Sequence, residues 1–260
     1  MSVDIHDKKF QSKLFEYALA IGDDLLVIGH RLSEWCGHGP TLEEDIALAN
    51  IALDCIGQAE GFLTFAAELD ERGRSADDLA YFRGETEYLN FLALEQPNGD
   101  FGYTIARQFL FSAYLHEFFS ELAKSPVAPL AALAAKSLKE VRYHLRHSSE
   151  WMLRLGDGTA ESNRRVQQAV DDLWCFTGEW FDELCAGEAE LVEEKLVPNR
   201  SSLRERWLVL ITPVFQESRL RIPDEEFMQS GSRGGKHSEH LGYILAELQF
   251  VQRAIPNAEW

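Results

Sequence analysis

Apolar residues recur at intervals of three and four along most of this 260-residue chain. Near its start, Phe10, Leu14, Tyr17, Ala18, Ile21, Leu25 and Ile28 mark one buried helical face. A second helix is expected to open at Thr41-Leu42-Glu43-Glu44, after Pro40. The Thr41 hydroxyl would accept from an early amide while Glu44 reaches back, closing a capping box. Its apolar positions Ile46, Leu48, Ala49, Ile51, Ala52, Leu53, Ile56, Leu63, Phe65 and Ala66 leave little polar face before Glu68. A helix apolar around its circumference is expected in the middle of a bundle.

The short segment SADDLAYFRG follows, and Pro97 with Asn98-Gly99 signals a turn. Helical spacing resumes over residues 103–124, is expected to stop near Pro126 and Pro129, and runs again over 130–155 until Gly156-Asp157-Gly158. A further helix is expected over 162–184, with Val166, Val170, Leu173, Trp174, Phe181 and Leu184 inward, followed by an acidic connector over 186–200. Ser202-Leu203-Arg204-Glu205 predicts a second capping box, opening a helix that bends at Pro213. Gly231 to Gly235 predicts a turn before a last helix over 238–254. No alternating strand pattern, fixed-period repeat or low-complexity tract interrupts this. Long helices with short connectors predict antiparallel neighbours, so the fold class is all-α.

Composition narrows the function. A net charge of -18 and a pI near 4.8 repel nucleic acid and anionic lipid, so neither is an expected partner. Cys36, Cys55, Cys175 and Cys185 form no C-x-x-C pair, which predicts reduced thiols rather than a disulfide framework or zinc site. The opening MSVDIHDKKFQSKLFEYALAIGDD is too broken by charge for a signal peptide. No uncharged run approaches the roughly 18 residues that cross a membrane. A cytoplasmic protein is expected.

The segment KSLKEVRYHLRHSSEW resembles half of an iron site. Glu140, His144 and His147 share one helical face. Di-iron bundles, however, draw Glu-x-x-His from each of two helices and one carboxylate from each of the other two. Three residues before His144 stands Val141, before His147 His144, before His116 Ala113 and before His30 Val27. His6, His38, His237 and His240 are preceded in the same way by Val3, Trp35, Gly234 and His237, so no acid completes the motif. Glu44, Asp45, Asp54, Glu60, Glu117 and Glu121 are expected as buried acids in a polar or salt-bridge network rather than as ligands.

Two weaker features remain. GGKHSEHLGYI places glycines and Lys236 before a helix start, where an anion could sit, but no strand precedes it and the P-loop spacing is absent. RLSEWCGHGP brings Cys36 near His38, which reads as a tight corner rather than an activated nucleophile. No G-x-S-x-G, dinucleotide-binding or Walker pattern occurs.

The segments GHRLSEWCGHGPTLEEDIALANIALDCIGQAEGFLTFAAEL, LEQPNGDFGYTIARQF, KEVRYHLRHS and GGKHSEHLGYILAELQFVQRAIPNAEW resemble the C-subunit family of the multicomponent phenylacetyl-CoA epoxidases. The resemblance implies a single ferritin-like helical domain over residues 1–260, with extra helices. It implies a structural subunit, without its own metal or cofactor, in a monooxygenase that epoxidises the ring of phenylacetyl-CoA during phenylacetate catabolism. The di-iron centre would lie in the catalytic A subunit, the heteromeric partner. A smaller B subunit and a reductase carrying FAD and iron–sulfur and using NADPH complete the expected complex. His144 would then match the histidine of the second motif, with Val141 in place of its glutamate. Asp54 would match the first glutamate, with Gly57 in place of its histidine. The competing readings are an autonomous di-iron oxygenase or iron-binding ferritin-like protein, and a homo-oligomeric bundle with an interaction role alone. Of Trp174, Phe176, Trp180, Phe181, Trp207 and Phe215, some are expected at a partner interface.

Overall fold

A computed structural model describes residues 7–182, 185, 187–224 and 227–256; Leu184, expected inward, lies outside them. Among the described residues there are eleven α-helices and no strand. In chain order they are α1 (Gln11–Ser33), α2 (Leu42–Leu69), α3 (Ala76–Tyr81), α4 (Leu92–Glu95), α5 (Phe101–Leu122), α6 (Ala128–Gly156), α7 (Ala160–Trp174), α8 (Glu188–Glu193), α9 (Arg204–Glu217), α10 (Glu239–Leu248) and α11 (Phe250–Ala254). The all-α class is as expected. The described residues form two compact units, one of residues 98–182 with 192–224 and 227–230, the other of residues 7–97 with 185, 187–191 and 231–256.

The second of these is built on the α1–α2 hairpin. Its corner is tight because Gly37 takes φ +82° and Gly39 donates its N–H to Asp45 Oδ2 at 3.0 Å. Thr41 caps α2 by accepting from the Glu44 N–H at 3.4 Å. The helices approach closely at Gly22, where a Cβ would stand 2.7 Å from Leu63 Cδ2, and at Gly29, where it would stand 3.2 Å from the Ala52 carbonyl.

The burial of the pair is the reverse of the expectation. Every residue over 17–29 of α1 is buried, not one face only. On α2, Leu42 (73% exposed), Ile46 (53%), Leu53 (66%) and Ile56 (38%) face outward. Apolarity around a helix shows that it could be enclosed; which neighbours exist to enclose it is a tertiary matter. Among the described residues α2 alone has the length and composition to cross a membrane, and 44% of its most apolar window is buried.

The other unit is built on the α5–α6 hairpin with α7 and α9 against it. Asp100 caps α5 by accepting from the Tyr103 N–H at 2.9 Å, after Gly99 turns the chain at φ +59°. The helix is then buried without a break over residues 104–115. Pro129 does not stop the chain; it lies in the first turn of α6, where a missing N–H costs nothing. α6 buries one narrow stripe, Leu130, Ala134, Ser137, Val141, His144, Ser148, Met152 and Gly156.

Three expected boundaries are corrected. α7 ends at Trp174, not near 184, because Thr177 turns its hydroxyl back to the Trp174 carbonyl and a 3-10 turn over Gly178–Phe181 follows. The acidic connector contains α8, tied to α1 by Lys13–Glu190 at 2.6 Å. Ser202 does not cap α9: a 3-10 turn over Arg200–Leu203 runs directly into that helix, so the free amides come earlier and Asn199 Oδ1 accepts from the Ser201 N–H at 3.1 Å. Pro213 lies inside α9.

The expectation of leftover aromatics fails for five of the six. Trp174, Trp180, Phe181, Trp207 and Phe215 are all buried, and Phe176 is half-buried. Trp207 sits 5.4 Å from Trp174, 6.0 Å from Trp180 and 5.4 Å from Phe181, ring centre to ring centre. The unit absorbs these rings into its own core.

Candidate functional site

The periodicity of α6 decides the fate of its polar residues. His144 falls on the buried stripe and is 1% exposed, next to Val141 at 0%. Glu140 and His147 lie beside that stripe, half-buried. Val141 therefore occupies the inward position three residues before a buried histidine, and an isopropyl group there supplies no ligand atom.

On α2 the pair that the resemblance would match to the other motif is placed differently. Asp54 is half-buried, and Gly57 is exposed, with nothing within 4 Å of where its Cβ would be. A Cβ at position 57 would face open space. Among the described residues no three His, Cys, Asp or Glu side chains are grouped so as to hold a metal ion.

The expected buried acids are only partly so. Glu44 (9% exposed) and Glu117 (8%) are buried, whereas Asp45, Asp54 and Glu121 are half-buried and Glu60 is exposed. The acids of α5 form a surface network with α9: Arg206 Nη2 lies 2.6 Å from Glu117 Oε2, and Arg206 also pairs with Glu121. Hydrogen bonds from Arg206 and Lys124 hold the Glu121 carboxyl below its ordinary range. Both acids thus face the Arg206 guanidinium, which would compete with a cation for them.

The deepest cluster of charge carries no signal in the sequence pattern. In the α1–α2 unit, Asp23 (0% exposed) pairs with Arg83 (3%), whose Nη1 is 2.9 Å from Asp23 Oδ2. Asp23 also accepts from the Leu89 N–H at 2.9 Å, and Arg83 donates to the Leu79 and Glu87 carbonyls. Its neighbour Asp24 receives Arg233 Nη2 at 2.6 Å and the Phe91 N–H at 2.8 Å. Each guanidinium lies over a ring, Arg83 at 4.2 Å from Tyr88 and Arg233 at 3.6 Å from Phe91.

A second buried pair holds the chain after Arg233. His237 presents Nδ1 to Glu95 Oε2 at 2.9 Å and Nε2 to the Tyr88 carbonyl at 2.8 Å. Both partners are acceptors, so the imidazolium with two N–H groups satisfies the site. Burial works against that charge, but the hydrogen bonds to Glu95 and Tyr88 prevail and raise the His237 pKa. Glu95 also accepts from the Ser238 N–H, at the start of α10. The glycine-led helix start read as a possible anion site therefore has its anion within the chain, the Glu95 carboxylate. At the 34–41 corner, His38 Nδ1 contacts the Cys36 carbonyl oxygen at 3.2 Å, as in a turn.

These pairs join residues 60 and 209 positions apart, and they clamp segments 83–95 and 233–238 onto α1. A cavity of about 440 Å³ opens beside them, lined among others by Phe15, Glu16, Asp70, Arg72, Arg74, Arg83, Glu87 and Arg233. Arg72, Arg74, Arg83 and Arg233 are matched there by Glu16, Asp70, Glu71 and Glu87, so neither sign of charge dominates.

The clamp has a pH signature. Burial pushes the Asp24 carboxyl up from 3.8 to about 6, outweighing the attraction of Arg233. The folded chain then binds this proton more tightly than the unfolded chain. Its contribution to stability is greatest below pH 3.8, falls as pH rises from there to 6, and is level above. The full swing is about 3 kcal/mol. Urea unfolding of wild type and Asp24→Asn from pH 4 to 7 isolates it. Wild type is expected to lose about 2 kcal/mol of that swing relative to the variant over that range; a constant difference contradicts the assignment.

Similarity to known proteins bears on this geometry. The family model described as phenylacetic acid catabolic protein matches residues 2–260. The C subunit of the 1,2-phenylacetyl-CoA epoxidase of Escherichia coli (strain K12) is 45% identical to this chain over 251 residues, which cover 96% of this chain and 100% of that protein.

Proposed function

The chain belongs to the phenylacetic acid catabolic protein family, and on that premise we propose that it is the non-catalytic structural subunit of a phenylacetyl-CoA epoxidase. In this reading it pairs with a di-iron A subunit during aerobic phenylacetate degradation in the cytoplasm. A smaller B subunit and a reductase bearing FAD and iron–sulfur, fed by NADPH, complete the assembly. Residues 1–260 act as one ferritin-like domain. The similarity to the C subunit of the bacterial epoxidase supports the membership.

The observation that carries the non-catalytic role is Val141. It takes the inward position where a di-iron helix would offer a carboxylate, one turn before the buried His144. The acids of α5 are meanwhile engaged by Arg206. A chain so built contributes a folded partner and no redox centre.

The test is elemental analysis after anaerobic loading with ferrous iron, together with reconstituted turnover. Iron is expected well below one atom per chain, and the A subunit is expected to epoxidise phenylacetyl-CoA at full rate only when this chain is present. Iron near about two atoms per chain, the complement of a bundle di-iron site, would overturn the reading in favour of an autonomous di-iron protein. Full turnover by the A subunit alone would overturn it as well.

A further inference from the structure

The outward face of α2 has a pattern that its burial in a monomer does not explain. Leu42, Ile46, Leu53 and Ile56 are exposed, and Ala49 between them is half-buried. Their successive gaps are four, three, four and three residues. An average of 3.5 is the repeat of a helix that packs lengthwise against another helix, knobs into holes. Scattered surface apolar residues carry no such repeat. The seam runs about 21 Å at 1.5 Å per residue. It ends at Glu60, which stands at the next gap of four and is exposed.

Charge selects the partner. α2 holds Glu43, Glu44, Asp45, Asp54, Glu60 and Glu68 and no lysine, arginine or histidine. Of these, Glu43 and Glu60 are exposed beside the seam. A second copy of the same face would set acid against acid, and an anionic lipid surface would meet the same repulsion. A helix with an apolar stripe and a cationic rim fits.

We propose that the α2 seam is the docking face for such a helix from another subunit of the epoxidase, the A subunit. This rests on the pairing argued under Proposed function and adds where the contact lies and what covers it. Burying the seam also accounts for the apolar circumference of α2: one side packs on α1, and the other awaits the partner.

Binding of the full-length chain to the cognate A subunit is measured by sedimentation, for wild type, Leu53→Asp, Ile46→Asp/Leu53→Asp, and Tyr243→Asp on α10, whose ring is 69% exposed. The two seam variants are expected to weaken binding by about 30-fold or more, with an unchanged melting point because the replaced side chains are exposed. Tyr243→Asp is expected to bind as wild type does. Amide exchange over residues 42–57 is expected to slow in the wild-type complex, which tests the face without any substitution. The association rate is expected to fall with salt, and less steeply in Glu43→Lys/Glu60→Lys.

Wild type and seam variants binding equally would overturn the docking face while leaving the proposed function standing. Binding by none of them would overturn both. Loss in Tyr243→Asp with the seam variants intact would also overturn the face. So would a homodimer, or flotation with phosphatidylcholine vesicles, that the seam variants abolish while A-subunit binding persists.

Discussion

Arg83→Met is expected to destabilise the protein by about 3–5 kcal/mol, because it strips the partner from a carboxylate that has no access to water. Asp23 is 0% exposed and would keep only the Leu89 N–H among its hydrogen bonds to the 83–95 segment. The guanidinium also ties that segment together through the Leu79 and Glu87 carbonyls, so its loss unties the backbone as well as the charge. In a chain of this size the melting point should fall by about 10 °C. The double variant Asp23→Leu/Arg83→Met is expected to regain most of the loss, since two buried charges leave together. Thermal and urea unfolding of the three proteins decide it. A single variant within about 1 kcal/mol of wild type would show that solvent reaches Asp23 or that the pair is not formed.

The second large effect is expected from Trp207→Ala, about 3–5 kcal/mol. The indole is 1% exposed, lies among Trp174, Trp180 and Phe181, and donates its Nε1–H to the Leu110 carbonyl at 3.0 Å. Truncation leaves a cavity walled by aromatic rings and removes the second hydrogen bond to the Leu110 carbonyl, which keeps its place in the α5 ladder. The measured quantity is again unfolding free energy, with A-subunit binding recorded beside it. A variant of normal stability that nevertheless fails to bind would return Trp207 to the interface from which its burial removes it.

Much of the helical order was legible because its causes are local. Thr41, Asp100 and Ser238 stand at helix starts where their side chains accept the amide two or three residues on. Gly99 turns the chain between α4 and α5, and α6 gives way at Asp157 beside Gly156 and Gly158. His144 lies inward because its spacing from Leu130, Ala134 and Val141 follows the helix period. The misplaced boundaries have tertiary causes. α7 stops short so that Trp180 and Phe181 can enter the aromatic core, where Gly178 packs against Met228 too closely for a Cβ. α9 starts from a 3-10 turn because Arg200, 2% exposed, is held by the Trp180 carbonyl.

The sequence by itself determined the fold class, the run of helices and the absence of any Glu-x-x-His pair. Each of these depends on which residues lie within a turn or two of one another. Only the tertiary structure decided that α1 is enclosed on every side over residues 17–29 while α2 keeps an open face. It alone brought Asp23 to Arg83 and Asp24 to Arg233, across 60 and 209 positions. A helical period shows which residues share a face, but enclosure and ion pairing depend on which other segment arrives there. That is set by the packing of the whole unit: the glycines that draw α1 against α2, and the buried charges that tolerate burial only when paired.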